Sequence, residues 1–269
     1  MERRNRNIWI AVIIIAVVCC CCVAAVAAGA AAWFVDRVEE GQVDVGIFDF
    51  DPNLSERVDE TFAVGERPYL EIRNFAGNVS VRAGEDNAIH VVAIKRASRT
   101  NALNEITVSM SEQGDRVVVR TRKTDNWPSA RVDLQITAPP GTEMDLHTGA
   151  GNVELGDLTG SIRVHSGAGD IDARGAAGPM QLGTGAGSVR YEGTPSGTCR
   201  FETGAGDITL RLPANPNVRV DLGTGLGSIH MGYDVDGQTS ARDVEGVIGD
   251  GDQGTIYAHT GVGSISVRR

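Results

Sequence analysis

The chain has 269 residues, enough for one large or two modest domains, with 34 glycines and only 13 aromatic residues (6 Phe, 3 Trp, 4 Tyr). Average glycine use is about 7%, and strict G-x-y triplets are absent, so neither an ordinary packed domain nor collagen is expected. The formal charge is −10; Arg3, Arg4 and Arg6 against Glu2 make the first seven residues +2, leaving −12 beyond them, which argues against a nucleic-acid partner.

Residues 8–35 carry no charge over 28 positions. About 20 apolar residues span a bilayer as a helix, so a transmembrane helix is expected here, with room to tilt. Arginines precede it and Asp36, Glu39 and Glu40 follow it, which places residues 1–7 in the cytoplasm as a short tail and the rest outside the cell membrane. Trp9 and Trp33 fall near the two headgroup levels. Ala-x-Ala patterns at Ala28–Ala30 and Ala30–Ala32 raise the rival of a cleaved signal peptide, but the run exceeds the usual 7–15 residues of such a segment. A retained single-pass anchor is the expectation. Cys19 to Cys22 sit at mid-membrane and read as small buried hydrophobes; Cys199 stands alone, so no disulfide framework or multi-cysteine metal site is available.

Residues 36–60 mix acids, Gly and Pro and read as a stalk or lead-in, and a β domain is expected over 61–269. YLEIRN (69–74), NVSVRA (78–83), IHVVAI (89–94), ITVSM (106–110), RVVVRT (116–121) and RVDLQITA (131–138) are short strands parted by turn residues, with a hairpin-like look. Lys95, Arg96 and Arg99 form one basic patch and Arg120, Arg122 and Lys123 another. Solvated strand faces explain both, and contact with an anionic wall polymer or headgroup is the functional alternative.

From residue 142 a phrase recurs: TGAGNVEL at Thr148, SGAGDIDA at Ser166, TGAGSVRY at Thr184, TGAGDITL at Thr203, TGLGSIHM at Thr224 and TGVGSISV at Thr260. The first steps are 18, 18, 19 and 21 residues, with half-repeats between them. Each unit of about 18 residues holds two short strands in which apolar and polar residues alternate, as in Ile162/Val164 and Ile171/Ala173. One face is buried and the other wet. Such strands bury nothing alone, so the pattern predicts an all-β, right-handed-type solenoid or β-helix-like stack, regular over 142–231 and 254–269. Pro139–Pro140 interrupts pairing before the first copy, PANPN (213–217) adds a turn, and residues 232–253 read as a surface loop.

Residues with chemistry fall into columns. Asn152, Asp170, Ser188, Asp207, Ser228 and Ser264 form a ladder; only two are carboxylates and the calcium nonapeptide G-G-x-G-x-D is not matched, so caps on turn N–H groups are expected. His147 and His165 should be neighbours, with Glu202 two rungs on and Gly183 between, while His90, His230 and His259 fall in no ligand spacing. Thr148, Ser166, Thr184, Thr203, Thr224 and Thr260 have no base placed repeatedly beside them, so hydroxyls paired rung to rung are expected. Glu154, Asp172 and Arg190 share one outward column and Arg163, Gln181 and Arg200 another, the pattern a polysaccharide-degrading face or any solvated sheet would show. No catalytic, cofactor-binding or metal residue is assigned, and no cofactor is expected.

The entry phrase TFAVGERPYLEIRNFAGNVSVRAG (61–84), the lead-in VDLQITAPPGTEMDLHTGAGNVEL (132–155) and the TG-x-G-[NDS]-[IV] repeats together resemble the adhesin-like bacterial envelope domains of the DUF4097 type. The resemblance covers roughly residues 61–269 and implies a β-solenoid, often membrane-tethered, with no established catalytic mechanism and no functional residues to carry over. The combined expectation is a non-enzymatic surface binding or structural protein, in contact with cell-wall polymer or a partner protein. The alternatives are an extracytoplasmic module of an envelope-stress sensing complex and a carbohydrate-active β-helix enzyme.

Overall fold

A computed structural model describes residues 54–124 and 130–269. The expected tail at 1–7, the anchor at 8–35 and most of the lead-in lie outside these residues. Among the described residues no helix is long and apolar enough to cross a membrane.

The described residues are all-β apart from one helical turn. In chain order it runs β1 (Leu54–Ala63), β2 (Tyr69–Asn74), β3 (Val79–Ala83), β4 (Ala88–Ala97), α1 (Thr100–Asn104), β5 (Ile106–Gln113), β6 (Arg116–Lys123) and β7 (Arg131–Ala138). It continues with β8 (Glu143–Ala150), β9 (Val153–Gly156), β10 (Ile162–Ala168), β11 (Ile171–Ala186), β12 (Val189–Ala205) and β13 (Ile208–Arg211). The last elements are β14 (Val218–Leu226), β15 (Ile229–Met231), β16 (Asp236–Thr239), β17 (Asp243–Ile248), β18 (Gly254–Val262) and β19 (Ile265–Arg268).

The strands build two parallel columns that share one core, with a positive-φ glycine at the corner of every rung except β6/β7. The first column runs β6, β2, β8, β10, the second half of β11, the second half of β12, β18 and β14. The second runs β7, β3, β9, the first half of β11, the first half of β12, β13, β19 and β15. Alternate residues point inward and stack like over like: Ile72, Leu146, Val164, Leu182, Phe201, Ala258 and Leu222 in one column face Val81, Leu155, Ala173, Tyr191, Leu210 and Val267 in the other, all buried. This is the solenoid the repeats call for, since no rung covers its own apolar side.

The stack order departs from chain order at both ends. β2/β3 lies between β6/β7 and β8/β9, and the last rung, β18/β19, is threaded between β12/β13 and β14/β15. The upstream strands expected to be hairpins are therefore mostly rungs. Antiparallel pairing there is limited to β5 with β6 and to β1–β4–β7, which cover that end.

Two further expectations are corrected. The sheet begins at Leu54, inside the segment read as a lead-in, because β1 pairs with β4 from Leu54↔Ala97 to Ala63↔Ala88. Its sequence, LSERVDETFA, buries only Phe62, so it lacks the alternation that marks a strand. Its charges suit an exposed edge. The supposed loop at 232–253 contains the hairpin β16–β17, and β17 lies antiparallel on β14 with Val244 and Ile248 buried over Leu222 and Val218. Gly246, Gly249 and Gly251 dilute that pattern in the sequence.

Candidate functional site

The corners are structural. Gly169 has φ +133, and a Cβ there would overlap the Gly151 carbonyl of the rung beneath, so no other residue fits. Where the residue after such a glycine is Asn or Asp, it caps its neighbour: Asn78 Oδ1 accepts from Asn152 N (3.0 Å), Asn152 Oδ1 from Asp170 N (3.0 Å), Asp170 Oδ1 from Ser188 N (2.8 Å) and Asp207 Oδ1 from Ser264 N (2.8 Å). Asp170 Oδ2 meets Arg190 at 3.3 Å. Of the six ladder residues, Asn152, Asp170 and Asp207 thus cap N–H groups, as the sequence indicates.

The buried hydroxyls do not pair with each other. Thr184, Thr203, Thr260 and Thr224 each donate to a glycine carbonyl of the adjacent rung, at 2.9 Å to Gly169, 2.8 Å to Gly187, 2.9 Å to Gly206 and 2.7 Å to Gly263. The positive-φ glycine leaves that carbonyl without a sheet partner, and the hydroxyl supplies one. Cys199 is fully buried, and burial pushes its thiol pKa up, which keeps it protonated and inert.

On the outward face of the first column, His147 and His165 are neighbours with ring centroids 5.8 Å apart. Glu202 lies two rungs from His165, with Gly183 between them. Two rungs are about 9.6 Å, too far for one ion with bonds of about 2 Å. Among the described residues no group of three or more His, Cys, Asp or Glu is placed to hold a metal ion. His259, which has no spacing relation in the sequence, sits beside Glu202 because its rung is threaded in there. Further along this face Glu71 is buried beneath Arg73, Arg116 and Arg120, with Arg120 at 3.1 Å and Arg116 closest. The Arg116 and Arg120 guanidiniums hold its carboxyl below the usual range. Arg120 is thereby spent, as are Lys95 on Glu56 (3.0 Å) and Arg96 on Asp133 (2.9 Å), so two members of the first basic patch and one of the second are ion-paired.

Arg163, Gln181 and Arg200 stand in register on the first column and Glu154, Asp172 and Arg190 on the second, as the spacing requires. Arg174 meets Asp172 at 2.6 Å and Arg82 approaches Glu154 at 3.9 Å. Beside them runs a column that sequence reasoning missed: Arg174, Glu192, Arg211 and Arg268 on successive rungs. With Asp172 and Arg190 these side chains line an open cleft of about 440 Å³. A second cleft, lined by Arg82, Glu154 and again Asp172 and Arg174, continues it along the stack. The polar flank of each strand could have pointed there, but only the threaded order puts Arg268 next to Arg211.

Residues 128–268 match the family described as Toastrack DUF4097, more than half of the chain. The chain belongs to that family. The Toastrack match opens just before β7 and takes in every rung from there to β19. No curated protein matches the chain. Among solved structures, a "putative cell adhesion protein" from Clostridium sporogenes is similar at 15% identity and TM-score 0.46, covering 79% of this chain and 99% of that one. A "putative adhesin" from Bacteroides fragilis is similar at 14% identity and TM-score 0.40, covering 79% and 97%. At these values neither carries a function over to this Toastrack chain.

Proposed function

We propose that the chain is a non-enzymatic binding or structural protein of the cell envelope, held by its N-terminal apolar segment in the cell membrane with the solenoid outside. Its counterpart in this reading is cell-wall polymer or a partner protein of the envelope. The observation that carries the reading is the parallel register itself. It sets side chains of one column about 4.8 Å apart over eight rungs, giving two long ribbed faces that suit a linear or extended ligand. Support for a non-catalytic role comes from the hydroxyls, which are committed to glycine carbonyls, and from Asp172 and Glu192, which are paired with Arg174 and Arg211. The N-terminal run of 28 uncharged residues after three arginines supports the anchor.

The test is co-sedimentation of residues 41–269 with purified cell wall, together with crosslinking and pull-down from membranes. All strands from Leu54 onward pair among themselves, so this fragment keeps every rung of the described stack. Retention on wall material or on one envelope protein is expected. Recovery of a sensor-type membrane protein alone would favour the stress-sensing reading, and failure of both arms would remove the surface-binding one.

A further inference from the structure

We propose that the arginine-rich cleft on the second column binds a linear polyanion whose phosphodiester or carboxylate groups repeat along its length. The inference rests on the surface-binding reading and names the ligand chemistry. The chain beyond residue 7 is strongly acidic, yet this cleft gathers Arg174, Arg190, Arg211 and Arg268 against Asp172 and Glu192, four positive charges to two negative.

The register sharpens the point. Arg211 and Arg268 are direct neighbours on β13 and β19, one rung apart. Like charges placed opposite each other on adjacent strands destabilise a sheet unless a counter-charge lies between them. Arg211 has Glu192 at 3.2 Å on its other side, whereas among the described residues no carboxylate pairs with Arg268. An anionic group bridging Arg211 and Arg268 would relieve that repulsion. Guanidinium forks recognise phosphate and carboxylate oxygens two at a time.

Extension of the site argues for a polymer over a single ion. From Arg174 to Arg268 is three rungs, about 14 Å, long enough for several repeating charges; beyond Arg174 the neighbouring cleft sets Arg82 against Glu154 and Asp157, so the polyanion site ends there. Thr209 lines the same cleft and offers a hydroxyl for the sugar or polyol units between charges.

The experiment measures binding of residues 41–269 to polyglycerol phosphate, to oligogalacturonate, to neutral dextran and to phosphatidylglycerol vesicles, at low and high salt. At least one polyanion is expected to bind, dextran not to bind, and affinity to fall with salt because the contacts are exposed. The better of the two polyanions identifies phosphate or carboxylate as the source. R211Q/R268Q should weaken binding roughly tenfold. E192Q, which removes the carboxylate that competes for Arg211, should tighten it roughly threefold. Binding unchanged in both variants, dextran binding equal to that of the polyanions, no polyanion binding, or tighter binding to anionic lipid vesicles overturns the proposal. If R211Q/R268Q still sediments with cell wall like the wild type, this cleft falls while the surface-binding reading stands. If polyanions bind here but wall does not, the cleft stands and the wall reading falls.

Discussion

Thr224 donates its hydroxyl to the carbonyl of Gly263 at 2.7 Å, although Gly263 lies 39 residues further along the chain. In the regular stack the same bond joins a hydroxyl to a glycine earlier in the sequence, as from Thr184 to Gly169. The reversal marks the threading of β18/β19 between β12/β13 and β14/β15. β15 pairs with β19 alone, and β14 reaches the body of the stack through β18.

Truncation should therefore behave against intuition. Removing residues 254–269 takes out an interior rung and strands β14 to β17 without a neighbour. A fragment ending at residue 212 loses more chain but keeps an unbroken stack from β6/β7 to β12/β13. The 41–212 fragment is expected to melt cooperatively, below the wild type, while 41–253, which keeps the same stack but carries β14 to β17 without their neighbour, melts no higher and aggregates more readily. Circular dichroism melts of the three lengths decide it; a higher midpoint for 41–253 than for 41–212 would contradict the threaded order.

Corner glycines should divide sharply by position. Gly169→Ala would need φ +133 and an overlap with the Gly151 backbone. Gly114, in the β5–β6 hairpin, has φ +61 with open space where a Cβ would go. G169A is expected to cost more than about 3 kcal/mol and G114A about 1 kcal/mol. Denaturant titration of the two variants measures the contrast, and equal costs would count against glycine as the corner-setting residue.

Much of this was legible because a solenoid writes its inward positions locally. β7 occupies the stretch read as RVDLQITA, and the columns from Ile162 to Val189 stack in the register that an 18-residue step implies. Stack order was not legible, since nothing local says which rung lies next to which. Two signals were present and went unused. AGNV at 76–79 repeats AGNV at 150–153, and Asn74 takes the place of the threonine, donating to the Val132 carbonyl at 3.0 Å. The two proline-rich breaks, Pro139–Pro140 and PANPN at 213–217, fall where the chain climbs past a rung filled by another segment. The arginine cleft was hidden for the same reason: Arg211 and Arg268 meet only through that threading.

The hydroxyl ladder predicts graded costs. Thr184 is 4% exposed and its hydroxyl donates at 2.9 Å to Gly169, so Thr184→Val keeps the shape and strands a half-buried carbonyl. A loss of about 1–3 kcal/mol is expected. Thr148 makes a single long contact of 3.5 Å, to Ala150 in its own rung, so Thr148→Val should cost less than about 1 kcal/mol. Urea midpoints of the two variants give the comparison; a larger loss at Thr148 would mean that these hydroxyls do not act through the glycine carbonyls.

Glu71 predicts the acid limb of stability. Its carboxyl pKa is lowered from 4.5 by hydrogen bonds from Arg116 and Arg120, with burial opposing. A carboxyl with a depressed folded-state pKa stabilises the fold fully above its unfolded value and loses that contribution as pH falls through the folded one. Between the two values the unfolded chain binds more protons, so stability rises with pH there. Wild type should therefore lose stability as pH drops below about 4.5. Glu71→Gln removes both the titration and the charge that offsets three arginines. Because those guanidiniums are 38–50% exposed, the cost at pH 7 is set at about 1–2 kcal/mol, below that of a fully buried pair. The difference between wild type and E71Q should shrink as pH falls from 6 towards 3. A difference that stays constant over that range would show that Glu71 contributes through packing and not through its charge.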